Sequence, residues 1–270
     1  MVLFPNAKIN LGLHVTGRRH DGFHNIETVF FPVPLMDVLE MVKADDQQFA
    51  FTLSGIGIPA DGAENLCVLA WKMLQKEFEL PPVKIHLHKN IPTGAGLGGG
   101  SSDGAYMIRL INQYFSLHLA DDRMEDYARR LGSDCPFFIR NRPVFATGRG
   151  DQFFPVNIDV SKHFLVIVKP PFGVSTREAY AGIRPAKPAV DLRDAIRLPI
   201  VEWRGKIIND FEVPVFKKHP EIAAIKSKLY DLGALFSLMS GSGSAVYALF
   251  DHSVDLAGHF SGMFYTAAWL

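Results

Sequence analysis

The residues best able to do chemistry in this chain are concentrated in one stretch, Ile91-Pro-Thr-Gly-Ala-Gly-Leu-Gly-Gly-Gly-Ser-Ser-Asp-Gly-Ala105. Five glycines fall between Gly94 and Gly100, and Ser101, Ser102 and Asp103 follow them. Glycine admits positive φ and lets a ligand approach the backbone. A helix that starts where such a loop ends aims unpaired N–H groups and its positive dipole end at whatever the loop encloses. The stretch therefore describes a phosphate cradle. A purely structural flexible turn is the weaker reading, because a run so rich in glycine costs conformational entropy to order.

Two well-known cradles do not fit. A P-loop needs a lysine directly after its last glycine, and none follows here. The dinucleotide pattern Gly-x-Gly-x-x-Gly is literally present from Gly94 to Gly99, but any glycine-dense loop produces it. In the dinucleotide fold the loop follows its strand at once, and a second strand comes after the helix. Here Asn90-Ile-Pro-Thr93 intervenes, and the segment after the helix reads as another helix. A glycine-serine loop of a third kind remains.

Other candidates are scattered. Lys8 and Asn10 share one face of a strand, where an exposed lysine is the default. His24 follows the turn Arg18-Arg19-His20-Asp21-Gly22 and taken alone reads as a surface histidine. Asp134, beside Pro136-Phe-Phe138, reads equally as a first-turn helix aspartate and as a catalytic carboxylate. A second glycine-serine loop spans Met239–Ser244. Phosphoryl transfer to a hydroxyl needs positioning, charge neutralisation and, usually, a base near the hydroxyl.

The elements that position these groups follow from periodicity. Residues 7–15 alternate as a strand, and residues 26–31 form its return, interrupted by Pro32 and Pro34. Further strands are expected at 38–42, 49–53 and 83–88. Helices are expected at 65–74 and 105–116, the latter carrying Met107, Leu110, Ile111, Tyr114 and Phe115 on one face. Asp122 and Glu125 suggest a capping box for a helix ending at Gly132, and Ser133 suggests the cap of a further short helix. Phe164–Val168 reads as a buried central strand, residues 185–199 as a long surface connection, Ile222–Leu232 as a helix and Ala245–Phe250 as a strand. The order suits an α+β protein of two domains, 1–155 and 156–270.

Composition sets outer limits. Lys+Arg and Asp+Glu balance at 28 each, so no net field draws the chain to nucleic acid or a membrane surface. The two cysteines, Cys67 and Cys135, form neither a disulfide framework nor a zinc motif. The opening residues lack a signal-peptide pattern, and no apolar run approaches a membrane span. The expectation is a cytoplasmic protein, monomer or homodimer, acting on a small molecule.

Pro92 through Asp103 resembles the ATP loop of the GHMP kinase superfamily, which includes galactokinase and the homoserine, mevalonate and phosphomevalonate kinases. Residues 233–245 resemble its C-terminal glycine motif. Ala7-Lys-Ile-Asn-Leu-Gly-Leu-His-Val15, the segment from Arg18 to Phe30, and Leu131-Gly-Ser-Asp-Cys-Pro-Phe-Phe138 are narrower. They resemble the 4-diphosphocytidyl-2-C-methylerythritol kinase family. The resemblance implies a two-domain GHMP-kinase-like α+β fold with the active site in the inter-domain cleft. It implies catalytic roles for Lys8 and Asp134. ATP would be held by Pro92, Gly94, Ala95, Gly96, Leu97, Gly98, Gly99, Gly100, Ser101 and Ser102, with Asn65 and Lys89 nearby. Magnesium is expected with ATP, with no protein ligand identifiable. The substrate, cytidine diphosphate methylerythritol, would meet Asn10, Phe23, His24, Tyr180, Gly241 and Ser242, with His24 on the cytosine edge and Phe23 stacked on the ring. Tyr180 fits both the ring's second face and a plain helix surface. Where relatives have alanine, Gly104 is expected to loosen the helix start. Asn209–Glu212 matches a recurrent family element without an assigned role.

Overall fold

Alternating and continuous apolar runs pair into three four-stranded sheets in the computed structural model, which describes residues 1–57 and 64–270. In chain order the strands and α-helices are β1 (Val2–Leu3), β2 (Asn6–Arg18), β3 (His24–Met36), β4 (Val38–Lys43), β5 (Ala50–Gly55), α1 (Leu66–Phe78), β6 (Val83–Lys89), α2 (Gly99–Tyr114), α3 (Asp121–Leu131) and α4 (Phe137–Arg140). There follow β7 (Val144–Thr147), β8 (Gln152–Pro155), β9 (Phe164–Lys169), α5 (Thr176–Ala181), α6 (Leu192–Ala195), α7 (Glu212–Lys218), α8 (Pro220–Asp231), β10 (Phe236–Met239), β11 (Val246–Phe250) and β12 (Phe264–Trp269). The fold is α+β. Two compact units interleave along the chain. The first comprises Met1–Ala7, Leu35–Thr93 and Gly98–Arg142, and the second Lys8–Pro34, Gly94–Leu97 and Pro143–Leu270.

The first unit holds the sheet β1-β4-β6-β5, with β4 antiparallel and β5 parallel to β6. Val83, Ile85 and Leu87 of β6 are buried, as their alternation requires. The helix α1 begins where Asn65 caps it, its side chain accepting from the Cys67 N–H at 2.8 Å. By contrast, α2 starts at Gly99, six residues before the apolar periodicity. The serines and Asp103 therefore belong to the helix and not to a loop ahead of it. Close packing explains the glycines there. A Cβ on Gly99 would lie 2.8 Å from Ile91 Cγ2, and one on Gly104 would lie 2.9 Å from Leu66 Cβ. Gly104 thus admits the close approach of α1 and α2, a use that helix propensity does not reveal.

Two cap expectations fail. The capping box is absent, since α3 begins after Ala120 with no side-chain cap. Glu125 instead accepts from Arg129 at 3.0 Å and from Arg140 at 2.5 Å, and Asp122 also pairs with Arg140. Ser133 caps nothing. Residues 133–136 form a turn, closed by Cys135 N–H to Gly132 O at 3.2 Å, and α4 begins only at Phe137.

The second unit holds the sheets β2-β3-β7-β8 and β10-β11-β9-β12. The strand β9 lies between β11 and β12, as its continuous apolar run requires. The prolines at 32 and 34 do not end β3, because its pairing with β7 covers only Thr28–Phe30 and neither proline removes a bond from that ladder. The lysine-bearing face of β2 is not exposed; every residue from Asn6 to Val15 is buried. The edge of β2 away from β3 is occupied, with Leu13 N–H donating to Ile208 O at 2.9 Å and Val15 N–H to Asp210 Oδ2 at 2.7 Å. The 185–199 connection is only partly superficial, since α6 buries Leu192 and Ala195. A hydrophobic core gathers Val166, Val168, Ile222, Ile225, Leu229, Val246 and Ala248.

The Gly104 contact gives a test. Alanine would gain about 1 kcal/mol of helix propensity, but overpacking against Leu66 costs about 1–3 kcal/mol. Gly104→Ala is expected to lower the thermal unfolding midpoint by about 2–4 °C. A raised midpoint would show that propensity, not the α1–α2 approach, governs this position.

Candidate active site

In the second unit, the strand period places Lys8 and Asn10 side by side on β2. Lys8 is 4% exposed; its Nζ donates to Asn10 Oδ1 at 2.6 Å and lies 4.8 Å from the centre of the Phe30 ring. Asn10 Nδ2 donates to Thr28 Oγ1 at 2.9 Å, and that hydroxyl donates to Gly12 O at 2.6 Å. The result is an ammonium held by a fixed amide in a buried setting, where charge acts more strongly than in water.

The two glycine stretches meet within the same unit. Gly94 and Gly96 have φ of 60° and 73°. A Cβ on Gly96 would fall 1.9 Å from Ser240 O, so only glycine fits. The segments are laced by backbone bonds, Ser244 N–H to Gly94 O at 3.2 Å and Ala245 N–H to Ala95 O at 3.1 Å. Ser240 Oγ donates to Gly96 O at 2.9 Å and accepts from Asn10 N–H at 3.3 Å. Lys8 N–H donates to Leu97 O at 2.9 Å, tying the catalytic candidate's own backbone to the loop. Gly241 is buried, and a Cβ there would lie 3.3 Å from Asn10 Oδ1; Ser242 Oγ lies 3.4 Å from Thr176 Oγ1.

Asn209–Glu212 supports this second loop. Asn209 Nδ2 donates to both Met239 O and Gly241 O at 2.8 Å, and its Oδ1 accepts from Phe211 N–H. Glu212 Oε1 accepts from Met239 N–H at 2.9 Å, and its Oε2 from Lys226 at 2.6 Å. Sequence reasoning left this element without a role. Its signal in the sequence was the match to a recurrent family element, which carried no role with it.

The Arg18–Gly22 turn is closed by Arg19 N–H to Phe23 O at 2.8 Å and by Asp21 Oδ1 accepting from Phe23 N–H at 3.1 Å. Phe23 is 54% exposed, with the Arg149 guanidinium 5.1 Å from its ring centre. His24 stacks on Tyr180 at 4.7 Å and 21°, and Tyr180 meets Phe211 edge-on at 4.7 Å. The Tyr180 ring thus faces His24. An exposed aromatic face beside an oriented imidazole can stack on a planar heterocycle and hydrogen-bond its edge.

In the first unit, Ser102 N–H donates to Gly98 O at 2.9 Å as the first helical bond of α2. The N–H groups without an intrahelical acceptor are therefore those of Gly99, Gly100 and Ser101. Ser102 is fully buried, and Pro92 is buried at the loop entry. Lys89 is 2% exposed, and its ammonium donates to Asp103 Oδ2 at 2.6 Å and to Asp37. Two buried carboxylates facing one ammonium leave one negative charge over. Burial first, and then the Asp37 charge, push Asp103 up to about 8, while the two carboxylates raise Lys89 above its ordinary value against the opposing effect of burial. Lys89 stays charged, and the Asp103 carboxyl protonates more readily than an ordinary carboxylate. Asp134 lies in the 133–136 turn, partly exposed, next to the buried Cys135, whose thiol burial pushes up to about 12.

His86 and His88 are engaged with Thr52 and Ser54 on the exposed face of β6. Among the described residues no group of three or more His, Cys, Asp or Glu is placed to hold a metal.

Comparison with known proteins follows the same division. Residues 65–142 match the model of the GHMP kinase N-terminal domain, and residues 192–258 that of the GHMP kinase C-terminal domain. The chain is 51% identical to a 4-diphosphocytidyl-2-C-methyl-D-erythritol kinase of Parabacteroides distasonis, covering 93% of this chain and 92% of that one. It is 48% identical to the kinase of the same name from Azobacteroides pseudotrichonymphae, over 97% of both. A crystal structure of a 4-(cytidine 5'-diphospho)-2C-methyl-D-erythritol kinase superposes with a TM-score of 0.77 at 32% identity, covering 92% of this chain and 90% of that one. Mevalonate kinase from Methanococcus jannaschii shares the fold, with a TM-score of 0.70 at 14% identity over 100% of this chain and 98% of that one.

Two measurements probe this geometry. Asn209→Ala strands two buried carbonyls and is expected to cost about 1–3 kcal/mol in urea unfolding. Asn209→Asp is expected to cost at least as much, because a carboxylate oxygen would then face both carbonyls. Equal stability of all three proteins would remove the supporting role. The second measurement concerns pH. The folded-state value of Asp103 lies above its ordinary 3.8, so the stability carried by its protonated form is complete below about pH 4 and lost as pH rises through about 8. Asparagine does not titrate, so the unfolding free energy of Asp103→Asn should gain on the unaltered protein across that window and level off above it. A pH-independent difference would mean that Asp103 is ionised in the native state.

Proposed function

This chain belongs to the 4-diphosphocytidyl-2-C-methyl-D-erythritol kinase family of GHMP kinases, and from that premise we propose how its residues divide the work. The enzyme phosphorylates the 2-hydroxyl of 4-diphosphocytidyl-2-C-methyl-D-erythritol with ATP, in the non-mevalonate route to isoprenoid precursors. The observation that carries this reading is the near-full-length identity of about one half to kinases of that name.

The loop from Gly94 to Gly98 and the α2 start hold the ATP phosphates. The cradle fits a phosphate chain: Gly94, Gly96 and Gly98 all have positive φ, and a helix N-terminus follows directly. The free N–H groups of Gly99, Gly100 and Ser101 donate to phosphate oxygens. Magnesium would accompany ATP, and phosphate and water oxygens would chiefly hold it.

The chemistry falls to two residues. Asp134 accepts or orients the proton of the attacking hydroxyl. Lys8, fixed by Asn10 Oδ1, supplies positive charge to the transferred phosphoryl group as charge shifts in the transition state. Phe23 offers its exposed face to the cytosine ring, and His24, oriented by Tyr180, reads the ring's edge. Gly241 and Ser242 line the substrate side of the second loop.

ADP release, followed in parallel with cytidine diphosphate methylerythritol, mevalonate and homoserine, tests the substrate. Turnover is expected with the first alone, and no ADP with it would end this reading. Asp134→Ala is expected to lower kcat by about 100- to 10,000-fold, with ATP binding by titration unchanged. Full turnover by that variant would remove Asp134 from the catalytic role and leave the substrate assignment standing.

A further inference from the structure

The start of α2 is poorly equipped to hold its own shape. Gly98 stands at the N-cap with φ of 71° and gives no side-chain cap. Gly99, Gly100 and Gly104 each weaken the helix by about 1 kcal/mol relative to alanine. Yet hydrogen-bond donors aimed at phosphate act only if they are held rigidly. Something else must fix this turn.

What fixes it lies directly underneath, inside the first unit. Asp37 Oδ1 accepts from both Asn90 N–H at 2.6 Å and Ile91 N–H at 2.8 Å, holding the two residues that lead into Pro92. The other carboxylate oxygen of Asp37 takes the Lys89 ammonium, which bridges to Asp103 Oδ2, one turn into α2. The side chains of all three are at most 2% exposed. A Cβ on Gly99 would lie 3.4 Å from Lys89 Nζ, so the ammonium sits against the first residue of the helix. A cation beneath a helix N-terminus opposes the helix dipole, and the two carboxylates offset it.

Buried ion clusters are seldom retained for stability, since apolar residues of like volume often do as well. This one links the end of β6, the chain entering the glycine loop, and the first turns of α2. We infer that Asp37, Lys89 and Asp103 are positioning residues for ATP: they touch no phosphate, and they fix from below the N–H groups that do. This deepens the kinase reading and rests on α2 as the phosphate-holding helix. It also replaces a direct contact between Lys89 and the nucleotide.

The test is direct titration of the full chain with magnesium–ATP, alongside separate KM values for ATP and for the cytidine substrate. Asp103→Ala cuts the link to the helix, and Lys89→Arg keeps the charge but crowds Gly99. Each is expected to weaken ATP about tenfold or more by displacing the donors, with the KM of the cytidine substrate unchanged. Asp103→Asn keeps an acceptor for Lys89 and is expected to restore ATP binding to within a few-fold of the unaltered protein. A direct Lys89–phosphate contact predicts instead that Asp103→Ala, which releases the ammonium, binds ATP as well or better. That result overturns the proposal, as does unaltered ATP binding by Lys89→Arg. Should Asp103→Ala fail to fold, the arginine and asparagine variants decide alone. An unaltered chain that binds no ATP overturns the kinase reading and this proposal together, whereas normal ATP binding by the variants of an active kinase overturns the proposal only.

Discussion

Two backbones can approach as closely as those at Gly96 and Ser240 only where no side chain intervenes. A Cβ at Gly96 would sit 1.9 Å from the Ser240 carbonyl oxygen. That approach, with the backbone bonds from Ser244 and Ala245, joins the first glycine loop and the second into one laced structure. The rest of the second unit is arranged to permit it. The Ser240 hydroxyl spans Asn10 N–H and Gly96 O, and Asn209 and Glu212 hold the backbone on either side of Ser240. Asn10 in turn fixes Lys8. The placement of the proposed catalytic ammonium thus depends on a residue whose useful property is that it has no side chain.

Charge burial is the second constraint. Lys8 and Lys89 are each almost wholly buried, but they are handled differently. Lys89 is surrounded by carboxylates, which suits a structural cation whose charge must be cancelled in place. Asn10 gives Lys8 a neutral amide oxygen and Phe30 gives it an aromatic face. Both contacts fix the position of the Lys8 ammonium on β2.

Much of this was legible from residue order. The strand period put Lys8 beside Asn10, and the glycine density marked a stretch where backbones approach closely. The extent of the helix was not legible. Apolar periodicity starts a helix at Ala105, whereas packing against Ile91 and Leu66 extends it back to Gly99. Caps misled for a related reason: Glu125 has the spacing of a capping box, but Arg140, fifteen residues on, claims its carboxylate. The supporting roles of Asn209 and Asp37 were invisible because each serves backbone groups far away in sequence, Met239 and Gly241 in one case and Asn90 and Ile91 in the other. No local pattern encodes such a bond.

The distribution of tolerance follows from these contacts. The proposed phosphate cradle consists of main-chain groups, which would select for charge and shape and serve acceptors of any kind. Selection of the acceptor must come from side chains, and the exposed candidates lie at one turn. Phe23 stays about half exposed, since the Arg19–Asp21 pair and the Phe23 backbone bonds hold the turn and the Arg149 guanidinium is the neighbour of its ring. His24 stacks on Tyr180, and its ring nitrogens are the edge proposed to read a heterocycle. Changes within the glycine stretches should therefore alter how well any phosphoryl donor is held, and changes at Phe23 and His24 should alter which acceptor is chosen. A backbone cradle and a side-chain reader can diverge independently on one fold, and a homoserine kinase and a mevalonate kinase share this fold at 15% and 14% identity.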